Sequence, residues 1–271
     1  CYFAAIVAFL RLYRSMLKPP AILILSGIDP TNGAGMGRDI STVRENDGFP
    51  ISVPSVLTIQ NSMNFSGFIP VLFDYVSDSI DILQNEFQIY AVKTGLLPLE
   101  SEWILQLTDK IQNFKVPVVV DPVFKASACK DESLIVPESY ISFLKGENKV
   151  ITPNIKELKI IHRLLENTEE TSEIMSENIS KKLGCSVVTT FEAEEPFISV
   201  TVQGCTTKIP IELFEPQRTI HGTGCTFSSS LAVNLAKGFP VNRAVELSAE
   251  YTLEKVKRSV RYNKSGQYFL Q

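Results

Sequence analysis

AILILSGIDPTNGAGMGRD, residues 21–39, opens with an apolar run that shows no polar alternation. It then breaks into a polar turn with glycines at 33, 35 and 37 before a helical pattern begins. An unbroken run of this kind reads as a strand buried on both faces, and such strands belong to parallel sheets covered by helices. The same signature recurs in ISVPSVLTI (51–59), IYAVKTG (89–95), VPVVVDP (116–122), KVITPN (149–154) and CSVVTTF (185–191). Helical patterns separate them at about 36–46, 76–87, 100–113, 137–145, 155–166 and 172–183, each long enough for a right-handed crossover. PFISVTVQG (196–204) and TTKIPIEL (206–213) are spaced like a hairpin at a sheet edge. Two final helices, at about 224–237 and 240–260, are divided by Gly238 and Pro240, which suit a helix stop and a helix start. Neither repeat nor linker interrupts the pattern. It predicts one doubly wound α/β domain over 19–271, preceded by an N-terminal extension over 1–18.

Composition narrows the function. The 271 residues carry a formal net charge of -4, and no basic block offers a groove for nucleic acid. Five cysteines are scattered without a CxxC pair, and two histidines are too few for a His-rich zinc site, so a reduced cytoplasmic protein is expected. The leader CYFAAIVAFLRLYR has an apolar run about half the ~20 residues of a spanning helix, with its positive charges after the run. No membrane anchor is expected, and Met16 would make a natural start.

Ligands of an open parallel sheet gather at the carboxyl ends of its strands. There the first turn supplies Gly33, Gly35 and Gly37, with Asp39 one turn into the helix; its spacing departs from a dinucleotide fingerprint, and no GxxxxGK[ST] loop is present. LTIQN ends in Gln60, which can donate to and accept from the edge of a heterocycle. TPNIKE places Asn154 and Glu157 three apart at a helix start, a pattern that suits a helix cap as well as a Mg²⁺ site. HGTGC, residues 221–225, precedes a helix of small residues. The amides of Gly222, Thr223, Gly224 and Cys225 would therefore face outward at the positive helix end and take an anion. A cysteine at that end is expected to have a thiol more acidic than its free value of about 8.5, and so to serve as a base toward a hydroxyl. A small buried packing residue explains Cys225 equally well.

Taken in order, SGIDPTNGAGMGRD, LTIQN, VKTGLL, VVVDPV, TPNIKE and HGTGCTFSSSLAVNLAKG resemble the hydroxymethylpyrimidine and phosphomethylpyrimidine kinases of thiamine biosynthesis, over residues from about 21 to 260. The resemblance implies a ribokinase-like three-layer α/β/α fold with a mostly parallel central sheet. It also implies MgATP-dependent phosphorylation of 4-amino-5-hydroxymethyl-2-methylpyrimidine and then of its monophosphate, in a homodimer. By the same resemblance Gln60 would bond the aminopyrimidine, with Gly27, Ala34, Asp39, Leu96 and Val123 around the ring. Cys225 would be catalytic within an anion hole of Gly222, Thr223 and Gly224. Asn154 and Thr190 would meet the nucleotide, and Glu157 would organise Mg²⁺. The chain departs from the family pattern where the lysine is displaced to Lys125, where Cys129 replaces a glycine, and where Thr190, Phe191 and Glu192 stand in place of the usual K-G-G. A pyridoxal or pyridoxine kinase, or a pyrimidine-binding relative with impaired transfer, remains compatible with the same motifs.

Overall fold

The computed structural model describes residues 18–61, 64–124, 136–166, 168, 170–190, 197–212, 220–262 and 267–271. The leader up to residue 17, together with Lys125, Cys129, Phe191 and Glu192, lies outside the described residues.

Strand β1 (Ala21–Ile28) shows why the apolar runs do not alternate. Leu23 and Leu25 enter one core while Ile22 and Ile24 enter another, and all four are fully buried. Strand β5 (Val118–Val120) divides likewise, with Val119 turned opposite to Val118 and Val120. Seven further strands complete the central sheet: β2 (Phe49–Gln60), β3 (Phe65–Pro70), β4 (Ile89–Thr94), β6 (Lys149–Ile151), β7 (Ser186–Thr189), β8 (Phe197–Val202) and β9 (Cys205–Pro210). Their order is β3-β2-β1-β4-β5-β6-β7-β8-β9. From β2 through β7 the pairing is parallel; β3 joins β2, and β8 and β9 join β7, in antiparallel fashion.

Helix α1 (Gly35–Glu45) covers one face with α7 (Thr223–Ala236) and α8 (Val241–Lys257), through Val43, Phe227, Leu231 and Val245. The opposite face carries α2 (Phe73–Glu86), α3 (Ser101–Ile111), α4 (Ser139–Leu144), α5 (Ile155–Leu165) and α6 (Ser172–Leu183). Handedness accounts for the division. The β1-α1-β2 crossover and the crossovers from β4 to β7 travel in opposite directions along the sheet, so right-handed connections place their helices on opposite faces. These three layers are the architecture expected from the sequence. The order reverses between β1 and β4, and the crevice above their carboxyl ends is where such a sheet takes a ligand.

Two features escaped the sequence pattern. Strand β3 contains Gly67 and Pro70 and is mostly solvent-facing, so it lacks a strand's apolar alternation. The parallel pair β10 (Ile220–His221) and β11 (Tyr268–Phe269) is two residues deep and too short for any period to register.

Candidate active site

Helix α7 is enclosed on every side, with Thr226 through Leu235 all buried. Its polar residues must therefore find partners inside the protein. Ser228 donates to Asp121 Oδ2 (3.1 Å), Ser229 to Asp39 Oδ1 (2.8 Å) and Ser230 to Asn46 Oδ1 (3.0 Å). Asp39 also accepts from Ser26 on β1 (2.7 Å) and from Lys93 Nζ on β4 (2.8 Å). Lys93 reaches within 3.9 Å of Asp121, which follows β5. Three strand ends and two helices thus converge on one buried ammonium. Burial alone would lower the Lys93 pKa, but Asp39, Cys225 and Asp121 raise it above its ordinary value. Burial pushes the Asp121 carboxyl upward, with Asp39 adding to the effect and Lys93 opposing it.

Neither Lys93 nor Asp121 was singled out from the sequence. The available signal was a lone lysine within the apolar run of β4 and an aspartate closing β5. Asp39, which the family resemblance sets against the ring, has a fully buried carboxylate that accepts from Ser26, Lys93 and Ser229. It forms the floor beneath the crevice.

The HGTGC turn sits above this floor. Gly222 caps α7 at φ 87, a left-handed conformation, and a Cβ there would collide with the Gly33 carbonyl oxygen. The first intrahelical bond runs from the Thr226 amide to Gly222 O (2.9 Å), so the amides of Thr223, Gly224 and Cys225 have no acceptor within the helix. This is the helix end at which an anion is expected from the sequence.

The acidity expected for Cys225 is not what the structure provides. Burial pushes its thiol up to about 12, and Asp39 and Asp121 add to this while Lys93 and the Gly35 amide pull the other way. A helix terminus contributes only partial charge, and burial outweighs it. Cys225 therefore rests as a neutral thiol, within hydrogen-bonding reach of the Asp121 carboxylate.

Around this centre, Gly27 lies between the side chains of Val56 and Leu96, and the Leu96 carbonyl accepts from Ser55 (2.6 Å). Ala34 caps α1 and donates its amide to Asp29 Oδ2 (3.1 Å). Val123 turns back on Asp121, its amide 2.8 Å from that carbonyl. Gln60 ends β2, two residues beyond Thr58, whose hydroxyl reaches Ile28 O (2.7 Å).

A second cluster lies at the ends of β6 and β7. Asn154 and Thr190 form an isolated parallel bridge, and the Thr190 amide donates to Pro153 O (3.2 Å). Asn154 caps α5 through the Lys156 and Glu157 amides, and Glu157 Oε2 accepts the Asn154 amide (2.9 Å), which completes a capping box. Burial first, and then the Asp121 carboxylate, push Glu157 up to about 8.

A buried ammonium, a helix end with unpaired amides and a carboxylate gather at the switch point of a doubly wound sheet, an arrangement suited to the charge neutralisation that phosphoryl transfer needs. Residues 29–269 match the phosphomethylpyrimidine kinase family, and the chain belongs to it. The hydroxymethylpyrimidine/phosphomethylpyrimidine kinase of Bacillus subtilis (strain 168) is 28% identical over 253 residues, covering 88% of this chain and 89% of that protein. Its counterpart in Staphylococcus aureus (strain Mu50) is 29% identical over 258 residues, covering 88% and 91%. Among solved structures, the Staphylococcus aureus pyridoxal kinase in complex with ADP superposes with a TM-score of 0.80 at 22% identity, covering 93% of each chain. The phosphomethylpyrimidine kinase from Clostridium difficile 630 gives 0.71 at 24%, covering 88% of this chain and 100% of that one. At these identities the superpositions speak for the fold. No helix among the described residues is long and apolar enough to cross a membrane.

Proposed function

We propose that residues 19–271 form one kinase domain that uses MgATP to phosphorylate the 5-hydroxymethyl group of 4-amino-5-hydroxymethyl-2-methylpyrimidine, and then the resulting monophosphate. The observation that carries this reading is the Lys93, Asp39, Asp121 and Cys225 cluster directly beneath the amides of residues 222–225. Phosphoryl transfer needs position and neutralised charge more than covalent assistance, and this cluster supports both. The Gly222 to Cys225 turn holds the transferring phosphoryl oxygens. Lys93 supplies fixed positive charge from below. Gln60 orients the ring beside Gly27, Ala34, Leu96 and Val123. Because the Cys225 thiol is neutral at rest, it takes the hydroxyl proton as it passes its own to Asp121. The freed oxygen forms its bond to the γ-phosphorus while the bond to the β-phosphate oxygen breaks and ADP leaves.

Asn154 and Thr190 are assigned to the nucleotide. Glu157 fits Mg²⁺: it is a hard oxygen donor, half-buried and facing Asp121, and no described cation is paired with it. When bound, Mg²⁺ neutralises charge on the phosphates. We assign the protein to a reduced cytoplasmic setting, in which Cys185, Cys205 and Cys225 stay thiols. The homodimer would form across the β2-β3 edge, where Leu57, Ile59, Ile69 and Leu72 are 42–81% exposed.

The test is ADP release by protein beginning at Met16, supplied with MgATP and hydroxymethylpyrimidine, pyridoxal or no acceptor. Pyrimidine-dependent turnover is expected. Preference for pyridoxal would move the assignment to a pyridoxal kinase. Pyrimidine binding without turnover would leave a ligand-binding relative.

A further inference from the structure

The turn that begins at Asp29 and the turn that begins at His221 are 192 residues apart in sequence, and one buried contact joins them. His221 Nε2 lies 2.8 Å from Asp29 Oδ2, with the two side chains 6% and 2% exposed. Facing a carboxylate, Nε2 must carry the proton and donate. The same carboxylate accepts the Thr31 amide (2.9 Å), the Thr31 hydroxyl and the Ala34 amide (3.1 Å), so it also shapes the turn from which α1 springs. Burial works against this charge, but the His221 and Thr31 donors outweigh it and hold the Asp29 carboxyl below its usual range.

A second layer presses the two turns together. Phe269 meets the His221 ring edge-on, with centroids 6.0 Å apart. A Cβ at Gly33 would lie 2.6 Å from the His221 ring and 2.7 Å from that of Phe269. Strand β11 is itself fastened: Arg38 Nη2 donates to Leu270 O (2.5 Å), and Phe269 and Val260 exchange two backbone bonds of 2.9 Å.

We propose that His221 and Asp29 are positioning residues that lock the acceptor turn, residues 29–35, against the phosphoryl-binding turn, residues 222–225. Their assigned role runs through each other rather than through contact with a reactant. The inference rests on the kinase reading given above. Reacting atoms must sit about 3–3.5 Å apart, and a 1 Å misplacement costs about 100-fold in rate. Loss of the lock should therefore appear in kcat. Affinity for the ring should fall less than kcat, because Gln60, Leu96 and Val123 stand on other strand ends and only Ala34 among the proposed ring contacts lies in the locked turn.

His221→Phe keeps a ring for Phe269 but removes the donor, whereas His221→Gln restores an N–H at similar reach. Both variants would be compared with the parent for kcat and KM toward hydroxymethylpyrimidine at saturating MgATP. Calorimetric Kd for the pyrimidine and amide hydrogen exchange across 29–35 would be measured alongside. The expected result for His221→Phe is a kcat about 10- to 100-fold lower, a Kd changed less than about threefold, and faster exchange in 29–35, with His221→Gln recovering most of the rate. The proposal is overturned if the Phe variant keeps kcat within about twofold of the parent, if Gln does no better than Phe, or if Kd worsens as much as kcat. Should the Phe variant not fold, Asp29→Asn takes its place, and parent-like kcat there overturns the proposal. If the parent itself turns over neither acceptor, the kinase reading has failed. The exchange data then decide the lock alone, and unchanged exchange at 29–35 in the Phe variant sinks it.

Discussion

Lys93 Nζ lies 2.8 Å from Asp39 Oδ1, and both side chains are sealed from solvent. Removing one member of such a pair leaves an unpaired charge in the interior. Lys93→Met is expected to destabilise the fold by about 3–5 kcal/mol, and Lys93→Met with Asp39→Asn to recover part of that loss without restoring turnover. Urea unfolding alongside the kinase assay checks both. A single variant as stable as the parent would mean that water reaches Asp39.

Cys225→Ser is expected to lower turnover at least about tenfold, since a hydroxyl is a poorer relay than a thiol hydrogen-bonded to Asp121. Pyrimidine Kd should stay close to the parent value because the ring contacts lie elsewhere. Unchanged turnover would remove Cys225 from the proton path.

Gln60→Ala leaves polar atoms of the ring unpaired, worth about 1–3 kcal/mol, or roughly 5- to 150-fold in pyrimidine Kd. Calorimetry reads this directly. Equal affinity in parent and variant would defeat the assignment of Gln60 to the ring.

The layers were legible in the sequence because helical and doubly buried strand patterns are local: Leu23, Val119 and Val187 lie in runs that announce a parallel sheet. Asn154 and Glu157 were equally readable, since a capping box is contained within four residues. The charge of the site was not. Whether Cys225 ionises depends first on its burial and then on Lys93, Asp39 and Asp121, which lie 132, 186 and 104 positions away and reach it only through the fold. Lys93 looked like a polar interruption of β4 until Asp39, brought in by α1, stood opposite it.

Lys149 offers a pH test remote from the site. It is 5% exposed, donates to Phe143 O and is held by burial down to about 8, with Cys185 opposing the shift. Below about 8 both folded and unfolded chains hold the proton. Between about 8 and the ordinary lysine value of about 10.4, only the unfolded chain does. Its contribution therefore rises with pH across that window. The unfolding free energy of the parent minus that of Lys149→Met should climb from pH 8 to pH 10; a flat difference would show the ammonium to be solvated.

Ile69→Asp with Leu72→Asp places charge on the exposed β2-β3 edge. Light scattering should then report a monomer where the parent is a dimer, with the melting temperature little altered. A parent that is already monomeric would retire that interface.

The bonds that build the centre span unusual lengths of chain: Ser229 to Asp39 covers 190 residues, His221 to Asp29 covers 192, and Arg38 to Leu270 covers 232. Contacts of such separation form late, because the loop between them must close first. During synthesis, β1 through β7 emerge before α7, so Asp39 and Lys93 are both made before Gly222 to Cys225. The centre is thus built from segments made early and segments made late, and its bonds can close only once α7 has emerged.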